Sequence, residues 1–176
     1  ISAAGENLTA KGQVRFDAAV TAADLALADG ADTGELVHFA DALTLSGGIT
    51  GASGDYGVSF AGVVAVSGST SLATTGTIDL GSDASAIHTF SGGFSAASGS
   101  TTRVAGMIDA SNAPISLGGL VLTGNTTIDT VNSPGTDVTI AGEVSGAYDL
   151  VVTAGSGTVT LAEPIAVTSL AISGQE

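Results

Sequence analysis

The sequence has no cysteine and no tryptophan, and it has only three basic side chains, three prolines and two histidines. Without cysteine the chain forms no disulfide and no thiolate metal site. With so few Lys and Arg residues it lacks the basic clusters that bind a phosphate backbone, so we expect no nucleic-acid partner. No run of about 18 apolar residues occurs, so we also expect no membrane insertion.

The composition is acidic, aliphatic and rich in glycine. Seventeen acidic residues give a formal net charge of −14, which favours solubility and disfavours docking on anionic membranes. Hydrophobic residues make up 44% of the chain but aromatic residues only 4%. The core must therefore consist of small aliphatic side chains, which suit a narrow, layered interior. The 26 glycines suit sharp corners between short strands.

One phrase recurs along the chain, in which an aliphatic residue is followed two places later by Leu, Ile or Phe. A further aliphatic residue usually comes four places after that, as in Val14-Arg-Phe16 with Val20. The phrase begins at Val14, Val37, Val58, Ile78, Ile115, Val138 and Val159. Successive starts differ by 23, 21, 20, 37, 23 and 21 residues. A fixed period of this length is typical of a solenoid, in which each repeat contributes one rung.

The even spacing within the phrase predicts strands, because residues two apart in an extended chain point to the same side. One such strand cannot bury its apolar side alone, but stacked copies form a continuous apolar column. We therefore predict an all-β protein, a parallel β-solenoid of seven or eight rungs with about 20–23 residues per rung. A β-sandwich with alternating strands is the alternative. For the Ala-rich segment 17–29 we prefer strands to a short helix.

The predicted organisation is a single β-solenoid domain, residues 1–176, with an irregular excursion at 83–114. The excursion accounts for the spacing of 37, which exceeds the others by about 15 residues. Within it lie His88, Phe90, Phe94, Arg103 and Met107. Since loops on a rigid scaffold often carry binding residues, this segment is a candidate for function.

Three stretches, residues 138–144, 150–161 and 170–174, resemble repeats of large bacterial surface proteins. The similarity is to filamentous-haemagglutinin-like exoproteins and autotransporter passenger repeats. It implies a right-handed parallel β-helix, a location outside the bacterial cell or on its surface, and an adhesive role with a host or matrix glycan as a candidate partner. The similarity is one of composition and period, so it assigns no functional residue.

Catalytic chemistry has little support in the sequence. His38 is predicted to face outward between Val37 and Phe39, and His88 has only Ser85 and Thr89 nearby. Enzymes that cleave acidic polysaccharides need basic residues, which are scarce here. We therefore expect no enzyme, no catalytic residues and no cofactor.

One cluster of acidic residues is a candidate cation site. Asp29, Asp32 and Glu35 form the densest group of carboxylates, and Ca²⁺ prefers oxygen ligands. The sequence contains neither the EF-hand loop nor the Gly-rich calcium nonapeptide. The cluster is therefore a hypothesis for weak Ca²⁺ binding.

The ends of a solenoid suggest its role, because terminal rungs expose unpaired backbone groups over an apolar core. Neither end of the sequence carries a recognisable cap. We therefore expect self-association end to end, or a longer chain of the same repeats, giving a stalk, an adhesin segment or a filament subunit. Two alternatives remain open: a donor-strand-exchanged β-sandwich filament subunit with residues 1–13 as donor, and a β-helical polysaccharide-active enzyme.

Overall fold

The computed structural model describes residues 2–3, 5–29, 34–81, 83–111, 113–131 and 135–175. These residues form strands and turns, and no helix long and apolar enough to cross a bilayer is found among them. In chain order the strands are β1 (Ser2–Ala3), β2 (Leu8–Lys11), β3 (Val14–Phe16), β4 (Val20–Ala22), β5 (Leu25–Ala28), β6 (Leu36–Phe39), β7 (Leu43–Leu45), β8 (Ile49–Gly54), β9 (Gly57–Phe60), β10 (Val64–Val66), β11 (Thr70–Thr74), β12 (Thr77–Asp79), β13 (Ile87–Phe90), β14 (Phe94–Ala96), β15 (Thr101–Asp109), β16 (Ile115–Leu117), β17 (Gly119–Asp129), β18 (Val138–Ile140), β19 (Val144–Ser145), β20 (Asp149–Leu161), β21 (Ile165–Ala166) and β22 (Ser169–Gln175).

The strands coil into a parallel β-solenoid of about seven turns, which confirms the predicted fold class. Strands between the two ends pair with strands of the previous and next turns, and every pairing among the described residues is parallel. The β-sandwich alternative is therefore wrong, because a sandwich is built mainly from antiparallel strands. The hypothesis of a donor-strand-exchanged sandwich subunit is wrong for the same reason. Its proposed donor, residues 1–13, contains β2, which pairs with β5 inside the solenoid.

Each turn has three faces. The first face contains β3, β6, β9, β12, the first parts of β15 and β17, β19 and β21. The second face contains β1, β4, β7, β10, β13, the later parts of β15 and β17, the first part of β20, and β22. The third face contains β2, β5, β8, β11, β14, β16, β18 and the last part of β20.

Inward side chains stack in columns and form the core. On the first face the column runs Val14, Val37, Val58, Ile78, Thr102, Leu120, Val144 and Ile165. Beside it Phe16, Phe39 and Phe60 stack with ring centroids 4.7 and 5.3 Å apart. Paired strands lie about 4.8 Å apart, and aromatic rings stack well at this distance. Repetition of the phrase therefore stabilises the rod through like-on-like stacking.

The recurring phrase changes face within the chain. Its first four copies lie on the first face, but the copies from Ile115 onward lie on the third face. In the intervening turn Thr102 occupies the first-face position, 24 residues after Ile78, and Phe94 occupies the third-face position. The spacing of 37 therefore reflects a change of face. Segment 83–114, where we predicted an irregular excursion, holds β13, β14 and β15 in register with the turns on either side.

The Ala-rich segment 17–29 is extended, as predicted. It contains β4 and β5, whose inward residues Val20 and Leu25 are buried. The helical spacing of its apolar residues has no structural counterpart, because pairing with the next turn overrides the helix propensity of alanine.

Candidate functional site

The predicted acidic cluster is only partly described. Asp29 and Glu35 lie on either side of residues 30–33, and Asp32 lies outside the described residues. In the part of the chain that the structure describes, no three His, Asp or Glu side chains are grouped so as to hold a metal ion. A Ca²⁺ site at Asp29, Asp32 and Glu35 therefore stays a prediction.

Asp29 packs against the next turn of the solenoid. A Cβ on Gly54 would come within 2.3 Å of its carboxylate, so any larger residue there would displace the Asp29 side chain. Burial, and secondarily the Asp29 charge, raises the pKa of Tyr56 to about 12. The Tyr56 hydroxyl donates a hydrogen bond to the carbonyl of Ala52 at 2.9 Å. Asp29, Gly54 and Tyr56 thus lie close together at one corner of the solenoid.

His38 faces outward, as predicted, but it has a partner that sequence reasoning missed. Its Nδ1 lies 3.1 Å from Ser59 Oγ, one turn further along the first face. The residue next in register beyond Ser59 is Asp79, so the carboxylate neighbours the serine and not the histidine. A hydrolytic triad needs the imidazole between serine and acid, and this order does not provide it.

His88 lies inside the core. It is 1% exposed and stands in the second-face column next to Ile108. Its Nδ1 accepts a hydrogen bond from the backbone N–H of Val64 at 3.3 Å, while the buried Nε2 has no partner among the described residues. Burial lowers the pKa of His88, because the charged imidazolium is disfavoured in the core. The backbone of Leu80 raises the pKa by a smaller amount, although no hydrogen bond to Nε2 forms. The sequence signals this inward position, because His88 stands two residues before Phe90 on the same strand and Phe90 is buried.

Outward side chains of the first face form a polar ladder, defined by Arg15, His38, Ser59, Asp79 and Arg103. Two of the three Lys and Arg residues of the protein are thus on one face. They differ in pairing. The Arg15 guanidinium forms a salt bridge with Asp17, whereas the Arg103 side chain has no salt bridge or hydrogen bond in the described chain.

A groove of about 310 Å³ opens beside the ladder. Its lining residues are Ser59, Ala61, Asp79, Gly81, Arg103 and Thr123, and we call it the Arg103 groove. Asp79 Oδ1 accepts a hydrogen bond from the N–H of Gly81 at 2.9 Å. Thr123 Oγ1 donates to the carbonyl of Gly81 at 3.2 Å, across the intervening turn. In the sequence, Arg103 is distinguished only as a member of the candidate segment 83–114.

The last described turn exposes the side chains that would form the next layer of core. Ile165 and Leu170 are each 39% exposed, and Ile172 is 49% exposed. Their equivalents one turn earlier, Val144, Leu150 and Val152, are fully buried. Within the described chain β21 and β22 pair on one side only. This end therefore combines an apolar surface with unpaired strand edges.

Comparison with known proteins adds no relative: no family model, no curated protein and no solved structure matches this chain. The class of protein is therefore defined by the fold alone, as a parallel β-solenoid of repeats.

Proposed function

We propose that this chain is a structural, non-enzymatic β-solenoid segment of an extracellular protein at the bacterial cell surface, with an adhesive role. The observation that carries the proposal is the parallel β-solenoid itself, whose regular inward columns, such as Val144 stacked on Ile165, are typical of a structural repeat protein. The resemblance of residues 138–144, 150–161 and 170–174 to bacterial surface repeats, and the strongly acidic composition, support the location.

The exposed end suits further solenoid turns better than a different partner. Another turn would continue the columns above Ile165 and Ile172 at the spacing of the existing pairs and would satisfy the free strand edges. Such turns come from a longer chain of the same repeats, or from a second copy stacked head to tail. Head-to-tail contacts need not close, so stacked copies form an open filament.

The test measures association of the 176-residue chain and of two matched variants. Ile172→Asp places a charge on the exposed end, whereas Ile87→Asp places one on the side of the rod, at a residue that is 54% exposed. We expect the wild type and Ile87→Asp to form concentration-dependent, lengthening rods, seen by light scattering and electron microscopy. Ile172→Asp should remain dispersed, because burying an unpaired charge opposes stacking.

A wild-type monomer that is independent of concentration would contradict stacking, as would equal effects of the two variants. The location is tested separately by labelling intact source cells with an antibody against the solenoid. Labelling that requires lysis of the cells would contradict a surface location.

A further inference from the structure

The Arg103 groove combines two charged groups of opposite sign that do not satisfy each other. Asp79 and Arg103 are paired in register on neighbouring strands, yet no salt bridge joins them in the described chain. The hydrogen bond from Gly81 holds Asp79 Oδ1 along its own strand. The second oxygen of Asp79 and the whole guanidinium of Arg103 therefore keep their hydrogen-bonding capacity free for a ligand.

The shape of the groove follows from small residues and a short corner. Ala61 and Gly81 lie two places after Ser59 and Asp79, so no long side chain fills the space beside the ladder. At the next turn β15 runs from the first face to the second without a loop, and Ala105 is fully buried there. Thr123 reaches the Gly81 carbonyl across this turn and also lines the groove.

Charge decides which ligand fits. A guanidinium matches a carboxylate through two parallel hydrogen bonds, and Asp79 accepts hydrogen bonds from hydroxyl groups. The nearby Asp79 and the net charge of −14 oppose a dianionic phosphate more strongly than a singly charged group. The hydroxyls of Ser59 and Thr123 contact His38 and Gly81, and each keeps a lone pair that can accept a hydrogen bond from a ligand. The volume of about 310 Å³ is at the small end of ligand sites.

We propose that the Arg103 groove binds a uronic-acid unit of an acidic saccharide, with the carboxylate on Arg103 and sugar hydroxyls on Asp79. This proposal rests on the extracellular, adhesive part of the proposed function, because an acidic glycan is a ligand that a protein meets outside the cell. It does not depend on stacking of the ends, since the groove lies on the side of the rod.

The test titrates the 176-residue protein with methyl α-galacturonide, a uronic-acid unit with a single carboxylate, by calorimetry at low salt, using Arg103→Gln and Arg15→Gln as matched variants. Both variants remove one positive charge from the first face, but Arg15 is already paired with Asp17. We expect Arg103→Gln to weaken binding about tenfold or more, since a charge-assisted pair is lost. Arg15→Gln should remain within about twofold of the wild type.

Two further probes define the ligand class: the methyl ester of methyl α-galacturonide and acetate should both bind much more weakly than methyl α-galacturonide itself. The proposal is overturned by absence of binding to the wild type, by equal weakening in the two variants, or by equal binding of either probe. Stacking is read from light scattering on the same samples. If the saccharide does not bind but the protein still stacks, the proposed binding site is wrong and the structural role stands. If the saccharide binds but the protein does not stack, only the stacking is wrong.

Discussion

At the scale of single residues, position in a column decides the environment of a side chain more than its chemical type does. His38 and His88 are the only histidines, and both lie on short strands of similar alternation. His38 faces outward and contacts Ser59, whereas His88 is enclosed among aliphatic residues. The same alternation leaves Ile87 on the surface at 54% exposure. At β13 the polar His88 therefore faces the core, while the apolar Ile87 faces solvent.

The buried His88 predicts a specific dependence of stability on pH. Its pKa is lowered in the folded protein, so the folded state keeps it neutral while the unfolded chain binds a proton below about pH 6.5. Its contribution to stability is therefore complete above that pH and is lost as the pH falls toward the folded pKa. We expect the free energy of unfolding, measured in urea, to decrease between about pH 6.5 and 5, above the titration range of ordinary carboxyls.

His88→Gln is the informative variant, because glutamine keeps a hydrogen-bond acceptor but does not titrate. Whatever its absolute stability, its unfolding free energy should be flat across this pH window. His38→Gln serves as the control and should retain the wild-type slope. A slope that persists in His88→Gln would show that another group is responsible.

At the scale of elements, the corners distinguish one turn from another. Earlier turns pass from the first to the second face through short loops, as between β3 and β4, whereas β15 and β17 run through the corner as continuous strands. The register between these two strands shifts between Val104 and Gly106. Gly106 adopts φ +84°, and a Cβ there would lie 2.4 Å from the carbonyl oxygen of Ala86.

Gly106→Ala should therefore be much more destabilising than an ordinary Gly→Ala change at positive φ. Gly34 is the matched control: its φ is +74°, but a Cβ there would meet no other described atom within 4 Å. We expect Gly34→Ala to cost about 1–2 kcal/mol from conformation alone. Gly106→Ala should cost about 1–3 kcal/mol more, because the Ala86 carbonyl must move. Urea unfolding of both variants measures the difference, and equal costs would contradict the close approach at Gly106.

At the scale of the whole molecule, the acidic residues repel one another along the rod. Glu143 and Glu163 lie one turn apart on corners between the third and first faces, and both are exposed. The net charge of −14 is balanced by few cations, of which Arg15 is already paired. Self-repulsion of this kind destabilises a compact state and is screened by salt.

Raising NaCl from about 10 to 150 mM should therefore increase the melting temperature of the dilute protein, with most of the effect reached when the Debye length falls to about 8 Å. Each kcal/mol of relieved repulsion corresponds to about 2–4 °C for a chain of this size. The double variant Glu143→Gln/Glu163→Gln should melt higher at low salt and respond less to NaCl. A melting temperature that is independent of salt in the wild type would contradict the repulsion.

The sequence by itself determined the class of fold, because alternation and period are properties of neighbouring residues and repeats. The repeats that begin at Val14, Val37 and Val58 have the same pattern of residues. In each of them a Phe follows two places later, and this even spacing determines which side of the strand faces inward. Strands in segment 17–29 also followed from alternation. These features are local, so no knowledge of distant contacts was needed.

Only the tertiary structure decided which face each copy of the phrase occupies. The period is hidden where the phrase passes from the first face to the third. The polar Thr102 fills a first-face position that is elsewhere aliphatic, and Thr70 and Phe94 follow each other in the third-face column. The Arg103 groove also depends on register, because Ser59, Asp79 and Arg103 are separated by 20 and 24 residues in sequence. Turn length varies with each corner, and only the pairing of whole turns brings such residues together.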